Sequence, residues 1–203
     1  MARPSDVFRK QDRQNTAVCL PGGKYGPEHR REFNILLLGE TEVGKSTWIN
    51  GFANYMTHSS LEAAEIHGLF PVPLKFELML DYDTSQEITA GTADKNEDDT
   101  VEESSTQSSN SYLFPTDNVV IRLIDTPGVG DTRGYDQDKK NFENTLRHIA
   151  QLNELHGIVI LLKPNNARIN VMFESCIKEL LTNLHKSASN NIVFCFLHSR
   201  GTM

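Results

Sequence analysis

Gly39-Glu40-Thr41-Glu42-Val43-Gly44-Lys45-Ser46 follows directly on the apolar run Phe33-Asn34-Ile35-Leu36-Leu37-Leu38 and leads into Thr47-Trp48-Ile49-Asn50. The apolar run reads as a buried strand, and the stretch from Lys45 as the first turn of a helix. A loop with glycines at both ends and a Lys-Ser pair, set between a strand and a helix, is the context in which such a loop cradles phosphate. Its main-chain N–H groups can wrap a β-phosphate, and the helix N-terminus adds partial positive charge. On this reading Gly39, Glu40, Thr41, Glu42, Val43, Gly44, Lys45, Ser46 and Thr47 line the phosphates. Lys45 reaches the β- and γ-phosphate oxygens, and the Ser46 hydroxyl ligates Mg²⁺. The alternative is a glycine-rich turn that binds nothing, and it leaves the flanking strand and helix unexplained.

The chain has 203 residues, enough for one domain with a substantial core. The longest apolar runs, Ile158–Leu162 and Ile192–Leu197, are far short of the roughly 20 residues that span a bilayer, so no transmembrane segment is expected. The start, Met1-Ala2-Arg3-Pro4-Ser5-Asp6, has no apolar centre like that of a signal peptide, and Ala2 stands where myristoylation needs glycine. A soluble cytoplasmic protein is the expectation. Cys19, Cys176 and Cys195 fit neither a disulfide framework nor a metal-ligand spacing. The net charge of −7 is concentrated: residues 81–103 hold nine carboxylates against Lys95, and the remainder is near neutral. No broad basic face remains for nucleic acid.

Residues 1–32, broken by Pro4, Pro21, Gly22, Gly23, Gly26 and Pro27, read as a flexible polar leader. From residue 33 the pattern alternates between strand and helix. After the loop, a helix is expected at about 45–56, a helical turn or two at Leu61–His67 and a strand at Leu74–Leu80. The acidic, serine-rich stretch at about 81–110 reads as a disordered insertion. Further on, Tyr112–Phe114 opens a short strand and Asn118–Ile124 is a firm one. Helices are expected at Gln137–Asn153 and Asn170–Lys186, and apolar strands at Gly157–Leu162 and Asn191–Leu197. Alternating helices and fully apolar strands imply an α/β fold: three layers, α/β/α, with a mostly parallel sheet and helices on both faces. A ligand then sits at the carboxyl ends of the strands.

The strand ending at Ile124 runs into Asp125-Thr126-Pro127-Gly128. A carboxylate there, beside the phosphate loop, can hold Mg²⁺ through a water, and Gly128, lacking a Cβ, lets its N–H approach a γ-phosphate. Many ATPases place an aspartate at this strand end; the tight Asp-Thr-Pro-Gly turn favours a switch GTPase. The run Leu123-Ile124-Asp125-Thr126-Pro127-Gly128-Val129-Gly130-Asp131-Thr132, with Gly39-Glu40-Thr41 and Gly44-Lys45-Ser46-Thr47-Trp48-Ile49-Asn50, resembles P-loop GTPases of the translation-factor class. It is most similar to the branch of septins, immunity-associated nucleotide-binding proteins and chloroplast import receptors, over about residues 33–202. The resemblance implies GTP and GDP as ligands, Mg²⁺ as cofactor, and a first-switch threonine that ligates the metal and senses the γ-phosphate. Thr106 fits that place best, with Thr100, Thr92 and Thr89 as alternatives. It also implies pairing with a second copy or a related domain across the nucleotide face.

Three features depart from that pattern. Guanine is normally read by Asn/Thr-Lys-x-Asp after the penultimate strand, and here the strand is followed by Leu197-His198-Ser199-Arg200-Gly201. Arg200 can stack on or hydrogen-bond to the base and His198 can contact its edge, or both are plain loop residues. Glu42 stands where relatives carry glycine, and its charge beside a phosphate opposes binding unless it points to solvent. Relatives also continue past the point corresponding to Met203, so the domain is expected to be C-terminally truncated. Val129 follows Gly128 where a catalytic glutamine would position water, so intrinsic turnover is expected to be slow. Asp131, Arg133, Asp136 and Arg168 are candidates for an interface. The leading expectation is a Mg²⁺-dependent GTP-binding switch with slow hydrolysis, in which Lys45 and Thr106 carry the catalysis. The alternatives are a degenerate, non-catalytic interaction module, a P-loop protein of altered base specificity, or a phosphotransferase of the nucleotide-kinase type.

Overall fold

The computed structural model describes residues 11–12, 15–17, 31–81, 84–91, 108–130, 135–164, 171–184 and 186–197. In chain order the elements are β1 (Gln11–Asp12), β2 (Asn15–Ala17), β3 (Arg31–Gly39), α1 (Lys45–Thr57), α2 (Leu61–His67), β4 (Leu74–Asp81) and β5 (Thr84–Ala90). There follow β6 (Asn110–Pro115), β7 (Val119–Asp125), α3 (Tyr135–Ile149), β8 (Gly157–Leu162), α4 (Val171–Asn183) and β9 (Ile192–Phe196).

Seven strands form one sheet in the order β1-β2-β6-β7-β3-β8-β9. Strands β7, β3, β8 and β9 are mutually parallel, whereas β6 runs antiparallel to β7. The strand order reverses about β3, and the loop Gly39–Gly44 leaves from the carboxyl end of that central strand.

Alternation along β3 explains why both faces are covered. Leu37 points to the α1 side, where it packs with Val43, Ile49, Ala53, Phe114 and Leu123. Leu36 and Leu38 point to the α3 and α4 side, with Ile124, Phe142, Ile160, Phe173 and Leu180. Burying such residues on both faces drives the three-layer arrangement at roughly 25 cal/mol per Å² of apolar surface. The fold is a three-layer α/β/α arrangement around a mostly parallel sheet.

Two polar devices hold the layers in register. Asn50 on α1 donates from Nδ2 to the Val72 carbonyl (2.7 Å) and accepts at Oδ1 from the Val72 N–H (2.9 Å). One turn later Asn54 does the same to Leu69, donating at 2.8 Å and accepting at 2.7 Å. The two amides act as a strand edge on a helix and clamp the segment that follows α2. On β3, Asn34 donates from its main-chain N–H to His156 Nδ1 (3.1 Å) and from Nδ2 to the Glu154 carbonyl (2.7 Å), which sets the entry to β8.

Several expectations change. Within the acidic insertion, Thr84–Ala90 forms a strand that pairs antiparallel with β4 as a separate two-stranded sheet. In the polar leader, Asn15–Ala17 pairs parallel with β6 and extends the main sheet. Helix α3 spans Tyr135–Ile149, starting earlier and ending earlier than the apolar period suggests. Its end tightens, because the Gln151 and Leu152 N–H groups bond three residues back to His148 and Ile149. Strand β9 forms an outer edge of the sheet, with Val193, Phe194 and Phe196 exposed.

Candidate functional site

The loop between β3 and α1 closes in two steps. Glu42 takes a left-handed conformation (φ 58°), and Gly44, with φ 99°, turns the chain into the helix. Gly44 is the N-cap, no side chain caps the helix, and no acidic residue occupies its first turn. The first-turn N–H groups therefore keep the polarity that suits an anion. The Glu42 side chain is exposed, which removes its carboxylate from the loop interior and meets the condition set by its charge.

Lys45 is the first residue of α1 and is 7% exposed. Its Nζ donates to the Gly39 carbonyl (3.2 Å) and the Glu40 carbonyl (3.1 Å), so the ammonium lies across the mouth of the loop. Ser46 is half-buried in the same turn, and Thr47 is exposed.

The second motif docks directly onto the first. The Thr41 N–H donates to the Val129 carbonyl (2.9 Å), the Val129 N–H donates to the Gly39 carbonyl (3.3 Å), and Glu40 and Val129 form a parallel bridge. A Cβ on Gly128 would stand 2.5 Å from Thr41 Cα, so only glycine permits this contact. Thr126, 2% exposed, donates its hydroxyl to the Leu37 carbonyl (2.8 Å) and ties the exit of β7 to β3. Asp125 is fully buried at the end of β7, in register with Asn110 at the start of β6. The structure thus brings Gly128 and Val129 against the loop that runs from Gly39 into α1, and sets Asp125 at the end of the strand beside β3. Thr106, His198, Arg200, Asp131, Arg133 and Arg168 lie outside the described residues, and Asp136 is exposed on α3.

Several residues of this region escape sequence reasoning. Thr126 sits inside a motif whose ends draw the attention. Asp138, 2% exposed on α3, accepts from the Gly130 N–H at 3.0 Å, and Asn141, Thr145 and His148 continue a buried polar row. The only sequence signal for that row is its three-to-four spacing, which equally fits a solvated face. Burial and the nearby Arg122 guanidinium hold His148 below the ordinary histidine range. Burial, Asp138 and Glu179 push the Cys176 thiol up to about 11, so it is a core residue without nucleophilic character. Among the described residues no group of three His, Cys, Asp or Glu side chains is placed to hold a metal ion by itself, and no helix is long and apolar enough to cross a membrane.

No family model matches the chain, and no curated protein matches it. Among solved structures, a dimerization-deficient mutant of Toc33 from Arabidopsis thaliana is similar, with a TM-score of 0.43 and 13% identity. The match covers 81% of this chain and 50% of that one, so this chain spans half the length of the protein it matches.

Proposed function

We propose that this chain is a guanine-nucleotide-binding switch domain that depends on Mg²⁺ and hydrolyses GTP slowly. The observation that carries the reading is the zipping of Thr41 and Gly39 to Val129, which sets Gly128 against the loop that holds Lys45. A loop so joined can report the presence of a γ-phosphate, because displacing Gly128 strains two main-chain hydrogen bonds. Lys45 would turn its Nζ from the loop carbonyls to phosphate oxygens. The Ser46 hydroxyl and the Asp125 carboxylate supply hard oxygen donors of the kind Mg²⁺ takes, with Thr106 as the third. Mg²⁺ when bound would neutralise phosphate charge.

Slow turnover follows from position 129. The Val129 side chain is buried among Leu38, Ile124 and Phe142, and both its main-chain polar groups bond to the loop. It has no group to orient a water, so an efficient reaction needs a residue from a second copy or a partner. Preference for guanine rests on the resemblance, with His198 and Arg200 as the base contacts. Calorimetric titration with Mg²⁺ and GTP, GDP or ATP tests the reading: binding that favours guanine and needs Mg²⁺ supports it. A folded chain that binds none of them refutes it and leaves the non-catalytic module.

A further inference from the structure

Helix α3 carries two adjacent buried rows. Phe142, Leu146 and Ile149 pack with the sheet core. Beside them Asp138, Asn141 and Thr145, each 2–3% exposed, and the half-buried His148 form a polar row at helical spacing. Burying this much polarity is costly unless each group is bonded, so its partners matter. Asp138 Oδ1 accepts from the Gly130 N–H at 3.0 Å. Gln137 Nε2 donates to Asn141 Oδ1 (2.9 Å), and Thr145 donates its hydroxyl hydrogen to the Asn141 carbonyl (3.0 Å). That hydrogen being used, Ser109 is the donor in its 3.2 Å contact with Thr145. Ser111, fully buried, meets His148 Nε2 at 3.1 Å.

The two ends of this row touch the two segments that flank the phosphate side. Gly130 is two residues past Gly128. Ser109 and Ser111 are the entry to β6, three and five residues past Thr106. These segments are also neighbours in the sheet, where Asn110 pairs with Asp125 and Ser111 with Ile124.

We propose that Asp138 is a positioning residue for the Gly128–Gly130 loop, and that the row Asp138-Asn141-Thr145-His148 couples this loop to the start of β6. The inference rests on the nucleotide-switch reading. A γ-phosphate that draws in Gly128 pulls on Gly130, and Asp138 passes the load through one rigid helix to Ser109 and Ser111. A nucleoside diphosphate makes no such demand, so the row bears on triphosphate binding alone.

The test uses the full chain with Mg²⁺ and either GDP or GTPγS, in wild type, Asp138→Ala, Asp138→Asn and Thr145→Val. Losing a charge-assisted bond should lower GTPγS affinity about tenfold in Asp138→Ala, with GDP affinity changed less than about twofold. Asp138→Asn keeps an acceptor for the Gly130 N–H and recovers most of the loss. Thr145→Val keeps the shape, drops both hydroxyl contacts and lowers the GTPγS preference in the same direction. Equal losses for the two nucleotides, or an unchanged preference in Asp138→Ala, overturn the proposal. Amide exchange at Gly130 without nucleotide judges the coupling separately: faster exchange in both Asp138→Ala and Thr145→Val supports it, and an unchanged rate in Thr145→Val refutes it. Wild type that folds and binds neither nucleotide instead overturns the switch reading itself. Should Asp138→Ala not fold, Thr145→Val decides the outcome: a lowered GTPγS preference with faster exchange at Gly130 supports the proposal, and wild-type values of both overturn it.

Discussion

Gly128 lies so close to Thr41 that a Cβ on it would stand 2.5 Å from the Thr41 Cα and 2.8 Å from the Thr41 nitrogen. The obstacle is main chain, which cannot swing aside as a side chain would. Gly128→Ala must therefore separate the two loops and break the bonds of Thr41 and Gly39 to Val129. Overpacking of this kind costs about 3 kcal/mol, at the upper end of its usual range. Urea unfolding should show that loss, and nucleotide affinity should fall with it. A variant as stable as wild type would mean that the loops are not locked together.

Glu42 pays the opposite kind of penalty. It holds φ at 58°, where a residue with a Cβ costs roughly 1 kcal/mol over glycine, and its side chain is exposed. Glu42→Gly should therefore stabilise the fold by about 1 kcal/mol and, with a carboxylate removed near the phosphates, tighten nucleotide binding. Chemical denaturation and calorimetry read the two effects. A loss of stability would show that the Glu42 side chain makes a contact worth more than the strain.

The Asn50 amide satisfies both polar groups of Val72, and both residues are buried. Asn50→Ala leaves a buried donor and a buried acceptor unpaired, a cost of about 3 kcal/mol. Asn50→Asp keeps the acceptor and loses the donor, and should fall between wild type and alanine. Similar midpoints for all three would show that water replaces the amide.

Much of this architecture was legible in the sequence because it depends on local chemistry. The apolar run before Gly39 and the Gly-Lys-Ser that opens α1 gave the strand, the loop and the helix, and Gly157–Leu162 was bounded correctly by composition alone. Other parts depend on contacts distant in the chain. Thr84–Ala90 is polar enough to read as solvated and becomes a strand through pairing with β4. Asn50, Asn54 and Asp138 look like ordinary helix-surface residues until their partners at Val72, Leu69 and Gly130 are known. The motif alone explains Gly128 by its approach to phosphate, whereas the Thr41 contact that demands glycine spans 87 positions.

His148 gives a pH dependence with a definite sign. Its folded-state pKa lies below the ordinary value of about 6.5, first through burial and then through Arg122. Between the two values the unfolded chain binds more protons, so stability is full above about 6.5 and declines as pH falls below it. Comparing urea unfolding at pH 7.5 and 5.5, His148→Gln should lose less stability on acidification than wild type. Equal losses would show that His148 does not contribute.

Cys176 is buried on α4 with its pKa pushed up to about 11, whereas Cys195 is only partly buried. At pH 8 a thiol reagent should modify Cys195 well before Cys176, and modification of Cys176 should track global unfolding in denaturant. Rapid modification of Cys176 in the folded protein would contradict its packing beneath α3.

The most direct test of the account is calorimetric titration of wild type and Lys45→Ala with GTP and GDP in the presence and absence of Mg²⁺. The expected result is Mg²⁺-dependent binding of both guanine nucleotides by wild type and its loss in a folded Lys45→Ala. Unchanged affinity in Lys45→Ala, or a folded wild type that binds neither, would contradict the assignment of Gly39–Thr47 as the phosphate site.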